Sequence, residues 1–190
     1  MDNFTKTIFI FFISLHLTQC TKENRFLIEK NKVGELTNAS TILELEYIYA
    51  KDSLVARLSE GYMGGEDTKY LVANDEYLVY STNGKHLLTI VPKKEHDSTS
   101  GIKYVQIMNS EFKTDKGLSL KSPFKDINTS YLINNIESSL ISATLFIDEL
   151  NATIALDKSD LGINVFDQKE IKVEQIPDLA KIKYMTIWFD

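Results

Sequence analysis

From Ser53 onward the chain is a succession of short apolar runs separated by turn residues. That spacing is the strongest constraint on its fold. Runs at Ser53–Leu58, Lys69–Ala73, Glu76–Tyr80, Lys85–Val91 and Ile102–Met108 are followed by others at Tyr131–Ile136, Leu140–Ile147, Ala152–Leu156 and Lys181–Phe189. They are rich in β-branched and aromatic residues and too short for ordinary helices, so they read as strands. Asn83-Gly84 between two of them predicts a tight hairpin, because both residues accept positive φ. Within Leu140–Ile147, Ile141, Ala143, Leu145 and Ile147 fall on one face. In the last run Ile182, Tyr184, Thr186 and Trp188 oppose Lys183, Met185, Ile187 and Phe189.

Helix signals interrupt this pattern at two places. Thr41-Ile42-Leu43-Glu44 matches a capping box, and Ile42, Leu45, Ile48 and Tyr49 follow at helical spacing as far as Lys51-Asp52. Ser122-Pro123 reads as an N-cap followed by proline at the first helical position, with Phe124 and Ile127 as the apolar stripe. Ahead of the first helix, Arg25–Val33 reads as a strand and Gly34–Thr37 as a turn. Gly34…Thr41…Glu44-Leu45 is echoed by Gly117…Ser122…Asp126-Ile127. The expected fold is therefore α+β: a mainly antiparallel sheet with two short helices, arranged as a tandem strand-helix-strand-strand repeat. The alternative is an α+β domain in which such units recur without repetition.

The N-terminus has a different character. Lys6 precedes an apolar run from Ile8 to Leu17, and Leu17-Thr18-Gln19-Cys20 closes it. A run of ~10 residues is too short to span a bilayer and has the order of an export signal. The junction resembles a bacterial lipobox, with Leu17 three positions before the cysteine and Gln19 the one departure from the usual small residue. The resemblance implies that Cys20 is acylated, palmitate included, and becomes the first residue of the mature protein. Cys20 is the single cysteine of the chain. The competing readings are an ordinary signal peptide and an uncleaved anchor, the latter opposed by Ser14 and His16 within the run. The expected organisation is a signal peptide at 1–19, an acylated cysteine and short tether at 20–24, and one domain at 25–190. The expected location is the bacterial cell envelope, lipid-anchored, at the outer membrane.

Composition narrows the chemistry. The formal net charge is −6 with no basic cluster, which argues against nucleic acid as a partner. With Cys20 acylated no thiol remains, so disulfides, thiolate zinc sites and cysteine nucleophiles are excluded. Nine tyrosines and ten phenylalanines describe a folded domain and not a stalk.

Candidate sites are few, and no catalytic residue, metal site or cofactor is expected. His96-Asp97-Ser98-Thr99-Ser100 has the composition of a triad, but neighbours in one loop cannot hold nucleophile, base and acid at fixed distances. His86 shares a strand face with Leu88 and Ile90 and reads as a hydrogen-bonded structural residue. Gly61–Gly65 is flanked by Glu60, Glu66 and Asp67, which repel a phosphate. Asp148-Glu149, Asp157 and Asp160 lack the spacing of a calcium loop. Asp97-Ser98-Thr99 and Asp52-Ser53-Leu54 look like short sites that some bacteria O-glycosylate in their envelopes, which makes Ser98 and Ser53 candidate acceptors.

Tyr62, Tyr70, Tyr77, Tyr80 and Tyr104 lie in or beside first-half strands, and tyrosine is enriched at interfaces. Tyr77 and Tyr80 point to opposite faces of one strand, so whichever is exposed is the candidate binding surface. The arrangement is similar to that of small envelope lipoproteins and inhibitor domains of the β-lactamase-inhibitor-protein-like fold. That resemblance implies a non-enzymatic role: binding an envelope protein partner or assisting assembly. The alternatives are an envelope hydrolase using paired carboxylates, and a calcium- or glycan-binding module.

Overall fold

A computed structural model describes residues 25–59, 74–162 and 171–189. The N-terminal segment with Cys20, the Gly61–Gly65 segment and the Lys69–Ala73 run lie outside the described residues.

The chain is α+β and mainly antiparallel. Strands β1 (Leu27–Glu29), β2 (Lys32–Val33) and β3 (Leu36–Thr37) form a small meander. A 3-10 turn at Ile42–Glu44 runs into helix α1 (Leu45–Ile48). Four strands follow: β4 (Ser53–Arg57), β5 (Glu76–Tyr80), β6 (His86–Pro92) and β7 (Ile102–Ile107). Then come β8 (Lys113–Thr114) and helix α2 (Phe124–Ser130). The last four strands are β9 (Asn135–Ser138), β10 (Ser142–Ile147), β11 (Ala152–Asp157) and β12 (Ile182–Trp188).

Strands β4 to β7 and β9 to β12 make one eight-stranded sheet in the order β4-β5-β6-β7-β12-β11-β10-β9. Each half is a four-stranded meander, and the last strand of each half lies beside the other at the centre of the sheet. β1, β2, β3 and β8 form a separate four-stranded sheet, closed by a parallel β1–β8 pair.

One apolar core lies on one side of the large sheet. Val79, Leu88, Ile90, Val105, Ile107, Leu145, Ile154, Met185 and Ile187 project into it from the strands. Ile28, Val33 and Leu36 of the small sheet, Ile42 of the 3-10 turn, Leu45 of α1, and Phe124 and Ile127 of α2 meet them. Burying such side chains stabilises by about 1.5–3 kcal/mol each, which is why the two short helices, unstable alone, persist here.

Several local expectations need correction. Arg25–Val33 is a hairpin and not a single strand: Asn31 takes φ 55 and turns β1 onto β2. Gly34 sits at φ 59, and a Cβ there would lie 2.3 Å from the Arg25 carbonyl oxygen, so only glycine fits. In the β5–β6 connection Gly84 alone of the Asn83-Gly84 pair takes positive φ, with its N–H bonded to the Ser81 carbonyl at 2.8 Å. The loop is thus longer than the two-residue turn expected. Pro123, not Ser122, occupies the N-cap of α2. The Phe124 and Lys125 N–H groups there are taken by the carbonyls of Ala180 and Asp178 at 2.8 and 2.9 Å, so backbone does what a serine side chain was expected to do. At α1, Glu44 does accept from the Thr41 N–H at 2.7 Å.

Candidate functional site

Helices, small sheet and 3-10 turns all contribute to the one core, so the large sheet has a second face with a different lining. Leu78, Val91 and Ala155 are buried yet stand outside the core cluster, because they project to that second, outer face. Register follows the alternation directly. Leu78, Thr89, Gln106, Thr186, Thr153 and Phe146 are successive cross-strand partners from β5 to β10. At ~4.8 Å per strand this row runs roughly 24 Å across the sheet.

Aromatic rings stand on either side of the row. Tyr104 and Trp188 are cross-strand partners with ring centroids 4.9 Å apart and tilted by 56°. Burial, followed by the nearby Glu76 charge, raises the Tyr104 phenol, so it stays a neutral donor. Trp188 Nε1–H donates to Thr153 Oγ1 at 3.2 Å, which fixes the indole. Trp188, Phe146, Thr153, Asn151 and Asp148 line a shallow cleft of about 290 Å³ at this end. At the other end Tyr80 stacks on His86, with centroids 4.8 Å apart and planes 24° apart. Tyr184, Phe146, Trp188, Tyr104, Tyr80 and His86 are all half-buried, so each keeps part of its ring accessible.

The two tyrosines singled out in the sequence separate here. Tyr80 belongs to the outer face. Tyr77 packs against the core, opposite Ile90, and is removed from the candidate surface. His86 is also corrected. The ladder shifts register between Val79 and Tyr80, so Val79 pairs with Leu88 but Tyr80 with His86. That bulge turns the imidazole away from the Leu88–Ile90 face. Its Nε2–H donates to the Leu88 carbonyl at 3.0 Å, with Thr89 Oγ1 at 3.2 Å.

A second cluster was not legible in the sequence. Ser59, Asp75 and His96 converge from three separate segments. Asp75 is closed to solvent. Its Oδ1 accepts from the Ser59 N–H at 2.8 Å and the Ser59 hydroxyl at 2.9 Å, and its Oδ2 accepts from the His96 N–H at 2.6 Å. Burial pushes this carboxyl up, but these bonds and the neighbouring imidazole outweigh it and hold it below the usual aspartate range. The three residue types are those of a hydrolytic triad, yet the wiring differs. The serine proton goes to the acid, Ser59 Oγ is 3.4 Å from His96 Nε2, and His96 Nδ1 is 3.8 Å from Asp75 Oδ2. A nucleophile needs its base on the hydroxyl and its acid on the far ring nitrogen. Asp75 instead clasps Ser59 to the His96 loop.

Other candidates disperse. Among the described residues the second shielded carboxylate is Asp52, which is bonded to Arg25 and lies in a different cluster from Asp75, so these two do not form a facing acid pair. Asp148-Glu149 and Asp157–Asp160 lie at opposite ends of β11, with Glu149 on Lys116 and Asp157 on Lys183. Among the described residues no group of three or more metal-ligating side chains converges. Ser98 is exposed beside Asp97, whose Oδ1 is engaged by Thr99 N–H at 2.9 Å. Ser53 is exposed at the start of edge strand β4, and its preceding Asp52 carboxylate is tied up by Arg25.

No family model matches the chain, and no curated protein matches it. Among solved structures it is similar to the uncharacterised protein yfeY from Escherichia coli. The two align with a TM-score of 0.55 and 13% identity, over 86% of this chain and 99% of that one. At that identity the likeness is one of fold.

Proposed function

We propose that this chain is an acyl-anchored bacterial envelope lipoprotein whose domain binds another envelope protein through the outer face of the large sheet. The observation that carries the reading is the lining of that face: paired rings on either side of a cross-strand row whose middle members, Thr89, Gln106, Thr186 and Thr153, are polar. Rings fixed by neighbours supply contact area at little entropic cost, and Tyr and Trp dominate binding energy at interfaces. The anchor is supported by the Leu17–Cys20 junction and the single cysteine there. The two halves are read as tandem copies of one unit. Support comes from a short capped helix leading into a four-stranded meander in each half, and from the paired final strands. Of the two candidate glycosylation sites, Ser98 is favoured, because it is exposed in a loop whereas Ser53 lies within a strand.

Crosslinked capture from native membranes tests the binding role. Tyr80→Ala and Trp188→Ala are each expected to reduce recovery of the partner about tenfold or more, the effect of removing an interface anchor. Joint replacement of His96, Asp97 and Ser98 by alanine should leave recovery intact. The reverse pattern would move the site to the loop.

A further inference from the structure

We propose that the protein rests on the bilayer through the layer opposite its aromatic face, at Leu43 and Tyr47. This rests on the reading of Cys20 as acylated. Five residue steps separate Cys20 from Arg25, at most about 18 Å of fully extended chain. The point where that chain enters the domain is fixed: Arg25 pairs with Asp52, and the Phe26 ring packs edge-on against Phe112 with centroids 5.1 Å apart. Arg25, Tyr47 and Lys51 line one cleft of about 350 Å³. Tyr47 is 87% exposed, and Leu43, one turn ahead of it, is 68% exposed. The other side of the same helical segment, Ile42 and Leu45, is buried in the core beneath the sheet. The tether therefore enters through the covering layer, and acyl chains inserted at Cys20 bring that layer to the headgroups.

Charge decides what kind of contact this is. Glu44 and Glu46 are exposed on the same segment, Glu35 lines the cleft with Lys51, and Arg25 is already engaged by Asp52. Among the described residues of this segment and cleft, Glu35, Glu44 and Glu46 stand beside Lys51, which is no basic patch to read anionic lipid. The occupant is the headgroup–acyl boundary of the bilayer that holds the tether, where tyrosine is at home. The aromatic face is then turned away from the membrane.

The test uses full-length acylated chains carrying one introduced thiol, Tyr47→Cys or Gln106→Cys. Acylation consumes the thiol of Cys20, so an NBD probe attaches at one place. The chains are reconstituted in phosphatidylethanolamine–phosphatidylglycerol vesicles with and without doxyl-labelled phosphatidylcholine. The expected result is a blue shift and a loss of intensity with doxyl lipid at position 47, unchanged by high salt, and neither at position 106. Equal responses, or a stronger one at 106, overturn the orientation and leave the anchor standing. Mass spectrometry of the same samples separates the two failures: an unmodified Cys20 overturns the anchor reading and this proposal with it.

Discussion

Replacing Asp75 by alanine should lower stability by about 2–4 kcal/mol, from the loss of hydrogen bonds to a charged acceptor and the stranding of a buried N–H. The carboxylate is closed to solvent but close to the surface, so its three donors, more than its desolvation, set the cost. Asp75→Asn should lose most of the same energy, since an amide nitrogen would face an N–H donor. The pH dependence has a definite sign. The folded carboxyl titrates below its unfolded value of about 3.9, so its contribution is complete above that pH. It fades as pH falls through the lower folded value. Asp97 and Asp157 are held down too, but both are partly open to solvent and screened. The difference between wild type and Asp75→Asn in urea titrations at neutral and acidic pH isolates Asp75, and it should shrink on acidification. A constant difference would mean that the clasp is not held by charge.

Phe124→Ala should cost about 3–5 kcal/mol, in the range measured for emptied aromatic core sites. Phe124 is 1% exposed and is the first residue of α2, with its N–H on the Ala180 carbonyl at 2.8 Å. The ring ties the short helix and the segment before β12 to the sheet. Chemical denaturation should show an earlier midpoint at unchanged slope. A loss below about 1 kcal/mol, the size of a surface substitution, would show that α2 does not cover the core as described.

Much of the sheet was legible because its strands alternate in sequence as they do in space. Glu76–Tyr80 is a strand with the bounds expected, and the core side of β10 is the Ala143–Leu145–Ile147 side. Strands of two or three residues, such as β2 and β3, carry too little period to be seen, and the N-terminal hairpin was missed for that reason. Bulges defeat alternation in another way. One register shift at Val79/Tyr80 moves His86 to the opposite face, and no residue type announces it. The Asp75 clasp joins residues 16 and 21 positions away, and nothing local to Asn74-Asp75 distinguishes it from a solvated turn. The outer face was only half visible. Tyr80 and Tyr104 were singled out, but Trp188 and Phe146 join them only when β7 and β12 pair, bringing the two halves of the chain side by side.

Binding of a protein at the proposed outer face has a direct chemical readout. Photo-crosslinking in intact cells tests it most directly. A benzophenone side chain is placed at Gln106, in the middle of the face, or at Asn128, exposed on α2 in the opposite layer. One discrete crosslinked protein adduct is expected from position 106, lost on Trp188→Ala, and none from position 128. An adduct from position 128 with none from position 106 would contradict binding at the outer face.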